Sequence, residues 1–128
     1  MKIYLASSIT QASKALKPVI DELKEKVRAE FELLDFFGLG PGEAKAVFQH
    51  NIQQMHNADL VLAECSQPSL GVGFEIGYAL SINKPVLAVA LSDVSVSRMI
   101  TGNPHPKYKF QRYQTVDEVI TAIKNFKV

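Results

Sequence analysis

Short apolar runs alternate along this chain with longer stretches of helical periodicity. Ile3-Tyr4-Leu5-Ala6 is closed by polar Ser7-Ser8 and predicts a buried strand. Residues 12–28 place Ala15, Leu16, Val19, Ile20, Leu23 and Val27 at helical spacing, with Asp21, Glu22, Lys24, Glu25 and Lys26 between them. Pro18 is tolerated only near the start of that helix. Phe31–Asp35 predicts a second strand, the breaker-rich Gly38–Gly42 follows, and residues 43–57 form a more polar second helix. Leu60–Ala63 is a third strand, Gln67–Gly71 a loop, and residues 72–82 a third helix. Pro85–Leu91 is the most continuous apolar strand. A loop with a short helical stretch near 94–101 leads to an edge strand at Tyr108–Tyr113. Residues 115–126 close the chain with an amphipathic helix, opened by a capping box of Thr115 and Glu118.

Strands alternating with helices imply an α/β fold with a five-stranded parallel sheet covered on both faces. Ligands of such sheets bind beyond the carboxyl ends of the strands. Here those ends are Ser7-Ser8, Asp35-Phe36, Glu64-Cys65-Ser66 and Leu91-Ser92-Asp93. The length of 128 residues, with no repeat or linker, implies one domain over 1–128. Fourteen basic against thirteen acidic residues leave a charge of +1, which provides no global footprint for nucleic acid. No apolar run approaches a membrane span, and the opening run is too short for a secretory signal. A single cysteine fits a reducing cytoplasm. The expected partner is therefore a small molecule.

The most informative segment is Gln67-Pro68-Ser69-Leu70-Gly71-Val72-Gly73-Phe74-Glu75-Ile76-Gly77-Tyr78, directly after the third strand. Its glycines read G-x-G-x-x-x-G, one residue longer than the dinucleotide fingerprint, and no acid stands where a ribose would need one. A nicotinamide cofactor is therefore not expected. Gly71 and Gly73 at a strand-to-helix turn permit close backbone approach, and the helix start offers N–H groups to an anion. Glu75 falls in the first turn of an otherwise apolar helix. A favourable helix dipole alone accounts for many such acids; a position in the crevice makes this one a catalytic candidate.

The segment 67–78, with Asn57–Glu64 ahead of it, closely resembles the nucleoside 2-deoxyribosyltransferase family. It is most similar to the branch that hydrolyses deoxynucleoside 5′-monophosphates at the N-glycosidic bond. Ile3-Tyr4-Leu5, Ser8-Ile9 and Ser97–Gly102 extend the resemblance over most of the chain. It implies a three-layer flavodoxin/Rossmann-like sandwich and no cofactor or metal. Glu75 matches the family nucleophile, and Tyr4 a tyrosine that orients it. Phe74 and Ile9 would pack around base or sugar. Ser8, Ser69 and Ser97 match phosphate contacts, with Ser97 supplied by a neighbouring subunit of a homodimer. At Ser69 the true transferases carry an aspartate, whose charge would repel phosphate.

Two departures stand out. Thr10 replaces an arginine common in that branch, with Arg98 available to compensate. More seriously, the family acid twenty-four residues before the nucleophile is here Asn51, an amide that holds a base but does not exchange a proton. Asp59, Asp35, Glu64 and His50 are the possible substitutes. The rivals are a base-exchanging transferase, a nucleotide-binding module with weak chemistry, and, more distantly, a flavin carrier. Cys65 reads as a small buried hydrophobe, and no histidine or cysteine spacing suggests a metal. Lys107–Arg112 interleaves aromatics with cations, as single-strand binders do, but reads better as a lysine-protected edge strand.

Overall fold

A computed structural model describes residues 1–8, 12–34 and 43–127. The expectations for Ile9, Thr10, Asp35, Phe36 and the glycine-rich break lie outside the described residues. In chain order the elements are β1 (Lys2–Ala6), α1 (Leu16–Glu30), β2 (Glu32–Leu33), α2 (Ala44–Asn57), β3 (Leu60–Glu64), α3 (Leu70–Ser81), β4 (Val86–Leu91), α4 (Arg98–Thr101), β5 (Tyr108–Tyr113) and α5 (Val116–Asn125). The five strands are all parallel in the order β2-β1-β3-β4-β5, the flavodoxin-like arrangement.

The alternation of side chains divides the core in two. Ile3, Leu5, Leu60, Leu62, Leu87 and Val89 face α1 and α5, together with Tyr113. Tyr4, Ala6, Val61, Ala63, Val86 and Ala88 face the other way and pack with Met55 of α2 and with Val72, Ile76 and Ala79 of α3. β3 lies at the centre with all five residues buried, as a strand covered on both faces must. Among the described residues no helix is long and apolar enough to cross a membrane.

Three boundaries differ from expectation, each for a local reason. α1 begins at Leu16 rather than residue 12, because the Ser13 hydroxyl and carbonyl take up its first N–H groups. Pro18 then falls in the first turn, where it costs no hydrogen bond. β2 keeps two residues of the expected strand, since Phe31 is spent closing α1 through its N–H to Val27 O. α3 starts at Leu70, two residues early, because the Ser69 hydroxyl caps it by accepting Val72 N–H. The capping box of Thr115 and Glu118 forms as expected.

Candidate active site

Tyr4 and Glu75 meet on the face of the sheet covered by α3. Tyr4 is buried on β1, and Glu75 precedes buried Ile76, so its side chain leans inward against the strand. The Tyr4 hydroxyl donates to Glu75 Oε2, the sole hydrogen bond on Glu75 among the described residues. Burial pushes the Glu75 carboxyl above the usual carboxylate range, while the Tyr4 hydrogen bond pulls it back down. The Tyr4 phenol is driven up by its own burial and by the Glu75 charge, so it remains an O–H donor. This arrangement tethers one carboxylate oxygen and leaves Oε1 to act.

The early start of α3 changes the setting of the glycines and of Glu75. Glu75 falls in the second turn of the helix rather than the first, so the dipole of the helix start acts on it less directly. Gly71 and Gly73 belong to the first turn of the helix and not to a loop, and among the described residues no glycine has positive φ. A Cβ added at Gly73 would meet nothing within 4 Å, so no close approach within the chain demands glycine there.

Asn51 lies on α2, one turn before buried Met55 on the same helix face. Because α2 runs against the strands, that turn carries it toward their carboxyl ends. Its Oδ1 is buried and has no partner among the described residues, and the same holds for Ser7 Oγ at the end of β1. Buried acceptors are nearly always satisfied, which makes Asn51 Oδ1 a candidate acceptor for a ligand's donor. Ser7 entered the sequence reading only as part of the polar end of the first strand, with no role of its own.

Ser69 and Ser97 line one cavity of about 430 Å³, with Cys65, Gln67, Leu70 and Met99 among the other walls. It lies between the start of α3 and the segment joining β4 to α4. Each serine also caps a helix, Ser69 accepting from Val72 N–H and Ser97 from Met99 N–H, which leaves both hydroxyl protons available to an acceptor. Within this chain Ser97 thus shares a cavity with its own Ser69. Ser8, the third expected phosphate contact, is buried just beyond β1. Phe74 is half exposed and packs between Phe48 and Tyr78 at 5.7 and 6.0 Å, joining α2 to α3.

Of the substitutes considered for the missing acid, Asp35 lies outside the described residues, and Asp59 and Glu64 are not brought to Glu75. Asp59 precedes β3 at the amino ends of the strands, where it accepts Lys2 N–H at 2.7 Å. Glu64 points to the α1/α5 face, as its even-numbered neighbours Leu60 and Leu62 do. His50 remains on α2, its Nε2 3.4 Å from Gln54 Nε2. Cys65 is buried, and burial together with the neighbouring Glu64 charge pushes its thiol up to about 12, so it is a poor nucleophile. Among the described residues no three His, Cys, Asp or Glu side chains come together as a metal site.

Residues 3–103 match the family described as Nucleoside 2-deoxyribosyltransferase. The chain belongs to that family. A Thermofilum pendens protein named "Putative 2'-deoxynucleoside 5'-phosphate N-hydrolase 1" is 39% identical over 96% of this chain and 92% of its own length. A zebrafish (Danio rerio) 5-hydroxymethyl-dUMP N-hydrolase is 35% identical over 64% of this chain and 59% of that one. In fold, the family member resembles a Clostridium botulinum CMP N-glycosidase with a TM-score of 0.75, at 18% identity over 99% of this chain and 100% of that one. A 2-desoxiribosyltransferase from Leishmania mexicana follows the same fold with a TM-score of 0.68, at 14% identity over 99% of both chains.

Proposed function

We propose that the protein is a hydrolase that cleaves the N-glycosidic bond of 2′-deoxynucleoside 5′-monophosphates, with Glu75 as nucleophile. The observation that carries this reading is the Tyr4–Glu75 pair: a half-buried carboxylate held at one oxygen by a single donor. Glu75 Oε1 attacks C1′ of the sugar, and the base departs with the electrons of the C–N bond and takes up a proton. Water then opens the glycosyl ester, giving a 5-phosphorylated deoxyribose and restoring the carboxylate. Tyr4 orients the nucleophile and keeps its basicity in check. Asn51 holds the departing base by hydrogen bonds but lends it no proton, so solvent supplies that proton and turnover is slow for the family.

The phosphate falls to Ser8, Ser69 and Ser97, while Phe74 packs on base or sugar and Gly71 and Gly73 leave the approach open. Homodimerisation, with Ser97 reaching the neighbour's cleft, is supported by an exposed apolar patch. Leu70 and Met99, at 97% and 83% exposure, flank the cavity, and half-exposed Phe74 and Phe48 continue it. A cytoplasmic setting suits the lone cysteine. The Asn51 amide favours one second reading, a nucleotide-binding module with little chemistry.

Chromatography of free base released from a panel of nucleosides and 5′-monophosphates tests the proposal. Release from monophosphates in preference to nucleosides is expected. Base exchange with an added free base makes the protein a transferase, and no release from any member leaves the binding module. Ser69→Asp isolates the phosphate assignment, because aspartate caps a helix as well as serine but repels the ligand's charge. Monophosphate selectivity is expected to collapse in that variant, and unchanged selectivity refutes the assignment.

A further inference from the structure

Residues 92–101 carry the chain from the end of β4 through α4, and Ser97 stands among them. Their one regular element is the single turn α4, so the path of the segment is set by what grips it from outside. Val94, Val96 and Ile100 are half-buried, whereas Ser97, Arg98 and Met99 are exposed, which gives the segment an inner and an outer side. Ser97 and Met99 share the outer side. The serine assigned to the neighbour's cleft therefore stands beside an apolar residue of the patch that supports a dimer.

The grip comes from one row of side chains on β5. Tyr108, Phe110 and Arg112 alternate with Lys109, Gln111 and Tyr113, and so share the side of the sheet that carries Glu75. Arg112 Nη1 donates to Leu91 O at 3.1 Å and to Val94 O at 2.7 Å, closing the first turn of the segment. The Tyr108 hydroxyl donates to Ile100 O, within α4, at 2.6 Å. One strap holds the segment before Ser97 and the other after it. The Arg112 guanidinium also lies over the Phe110 ring, 5.6 Å from its centroid. Among the described residues no carboxylate pairs with Arg112. Protection of an edge strand needs only exposed charge, and Lys107 and Lys109 provide it. An arginine spent on two loop carbonyls serves the loop instead.

We infer that Arg112 is a positioning residue for the neighbouring subunit's active site: with Tyr108 it holds residues 94–100 so that Ser97 is presented outward, to the 5′-phosphate bound in the partner's cleft. The inference rests on the reading of Ser97 as a phosphate contact supplied across a homodimer. Arg112→Ala removes the first strap, and Tyr108→Phe removes the second while keeping its ring. In each variant KM for the best-cleaved 5′-monophosphate of the panel is expected to rise about tenfold, inside the roughly hundredfold that a misplacement of about 1 Å costs. Turnover should stay within about twofold, and KM for the matching nucleoside should not change. If the two KM values stay as in wild type, or rise together, the straps are structural only and the inference falls.

A mixed dimer decides in which cleft the strap acts. Arg112→Ala and Glu75→Gln chains are co-expressed with different tags and purified as the pair. The one cleft with an intact nucleophile belongs to the Arg112→Ala chain and receives Ser97 from the chain whose Arg112 is intact. Wild-type KM for the monophosphate is therefore expected. A KM as high as in the Arg112→Ala homodimer puts the effect within one chain and overturns the inference, as does failure of any pair to form. Ser97→Ala separates this from failure of the phosphate reading. If that variant keeps the wild-type KM for the monophosphate, the reading of Ser97 falls and takes the inference with it. A rise in Ser97→Ala without one in the strap variants overturns the inference alone. Should Arg112→Ala not fold, Tyr108→Phe takes its place in both measurements, and should the panel release no base, Kd replaces KM in the comparison of homodimers.

Discussion

The sheet holds a tyrosine–carboxylate pair on each face, and the two are built to opposite ends. Glu64 is held on both sides: three donors, the Ser66 N–H and hydroxyl and the Tyr113 hydroxyl, occupy its two oxygens, and it is sealed from solvent. Glu75 is only partly buried, has one donor among the described residues, and is joined on its side of the sheet by the partnerless Oδ1 of Asn51. A sealed carboxylate with donors on both oxygens has little to give to carbon, whereas one held at a single oxygen is oriented yet still nucleophilic. The number of donors, more than burial, separates the structural acid from the reactive one.

The widest separation is expected from replacing each acid by its amide. Glu75→Gln should lower base release by about 10⁴–10⁶-fold while leaving the fold intact, since an amide forms no glycosyl ester. Chromatography of released base checks this, and a variant keeping more than a small fraction of wild-type activity moves the nucleophile elsewhere. Asn51→Asp should act in the opposite sense and raise kcat, by up to the factor of about 10²–10⁴ that acid–base help provides, with little change in KM. Steady-state kinetics in which Asn51→Asp is neutral would remove Asn51 from the leaving-group side.

Tyr4→Phe leaves Glu75 without its donor. Turnover should fall by about tenfold, within the range of a single hydrogen bond to a charged group. The rate needs Glu75 ionised and so falls as pH drops through its pKa. Loss of the bond that lowers this pKa should move the acid limb of the pH–rate profile to higher pH. A limb that stays in place would dissociate Tyr4 from Glu75.

Thermal stability provides the smallest contrast. Because the folded protein raises the Glu75 pKa, it holds that proton better than the unfolded chain does, and folding is weakened as pH rises through the folded value. Glu75→Gln removes this penalty, so Tm at neutral pH should rise by about 2–5 °C, and the gain should fade in acid. Glu64→Gln places an N–H₂ group against donors, and its Tm should fall by a similar or larger amount, about 3–10 °C. Calorimetry at two pH values measures both. Equal and same-signed shifts would erase the distinction between the faces.

The order of elements, the parallel sheet and the capping box were all legible, because each rests on periodicity or on residues adjacent in the chain. Glu64 was offered as a substitute acid and is not one: counting by twos from Leu60 and Leu62 places it away from Tyr4, Val61 and Ala63, a signal in the sequence that went unused. The start of α3 was hidden by its own glycines, which suggest a loop until Ser69 is seen as the cap. The sharing of a cavity by Ser69 and Ser97 had no local signal at all. It depends on how Arg112 and Tyr108, distant in sequence, hang the β4–α4 segment on the last strand. Asn51 was visible only by counting back from the motif; its empty acceptor was not.

The cap at Ser69 bears on how a fold of this kind changes its diet over generations. The backbone asks of position 69 only a short side chain with an oxygen that can accept Val72 N–H, and serine, threonine, aspartate and asparagine all meet that demand within about 1 kcal/mol. The outward side of the same group is what an incoming ligand meets, neutral in some of these residues and anionic in another. Mutation at this codon can therefore trade one class of ligand for another while the protein stays above its folding threshold. Most active-site changes must first survive a loss of stability before selection can weigh them. Here the two demands fall on different sides of one oxygen, and the site is open to drift and to adaptation alike.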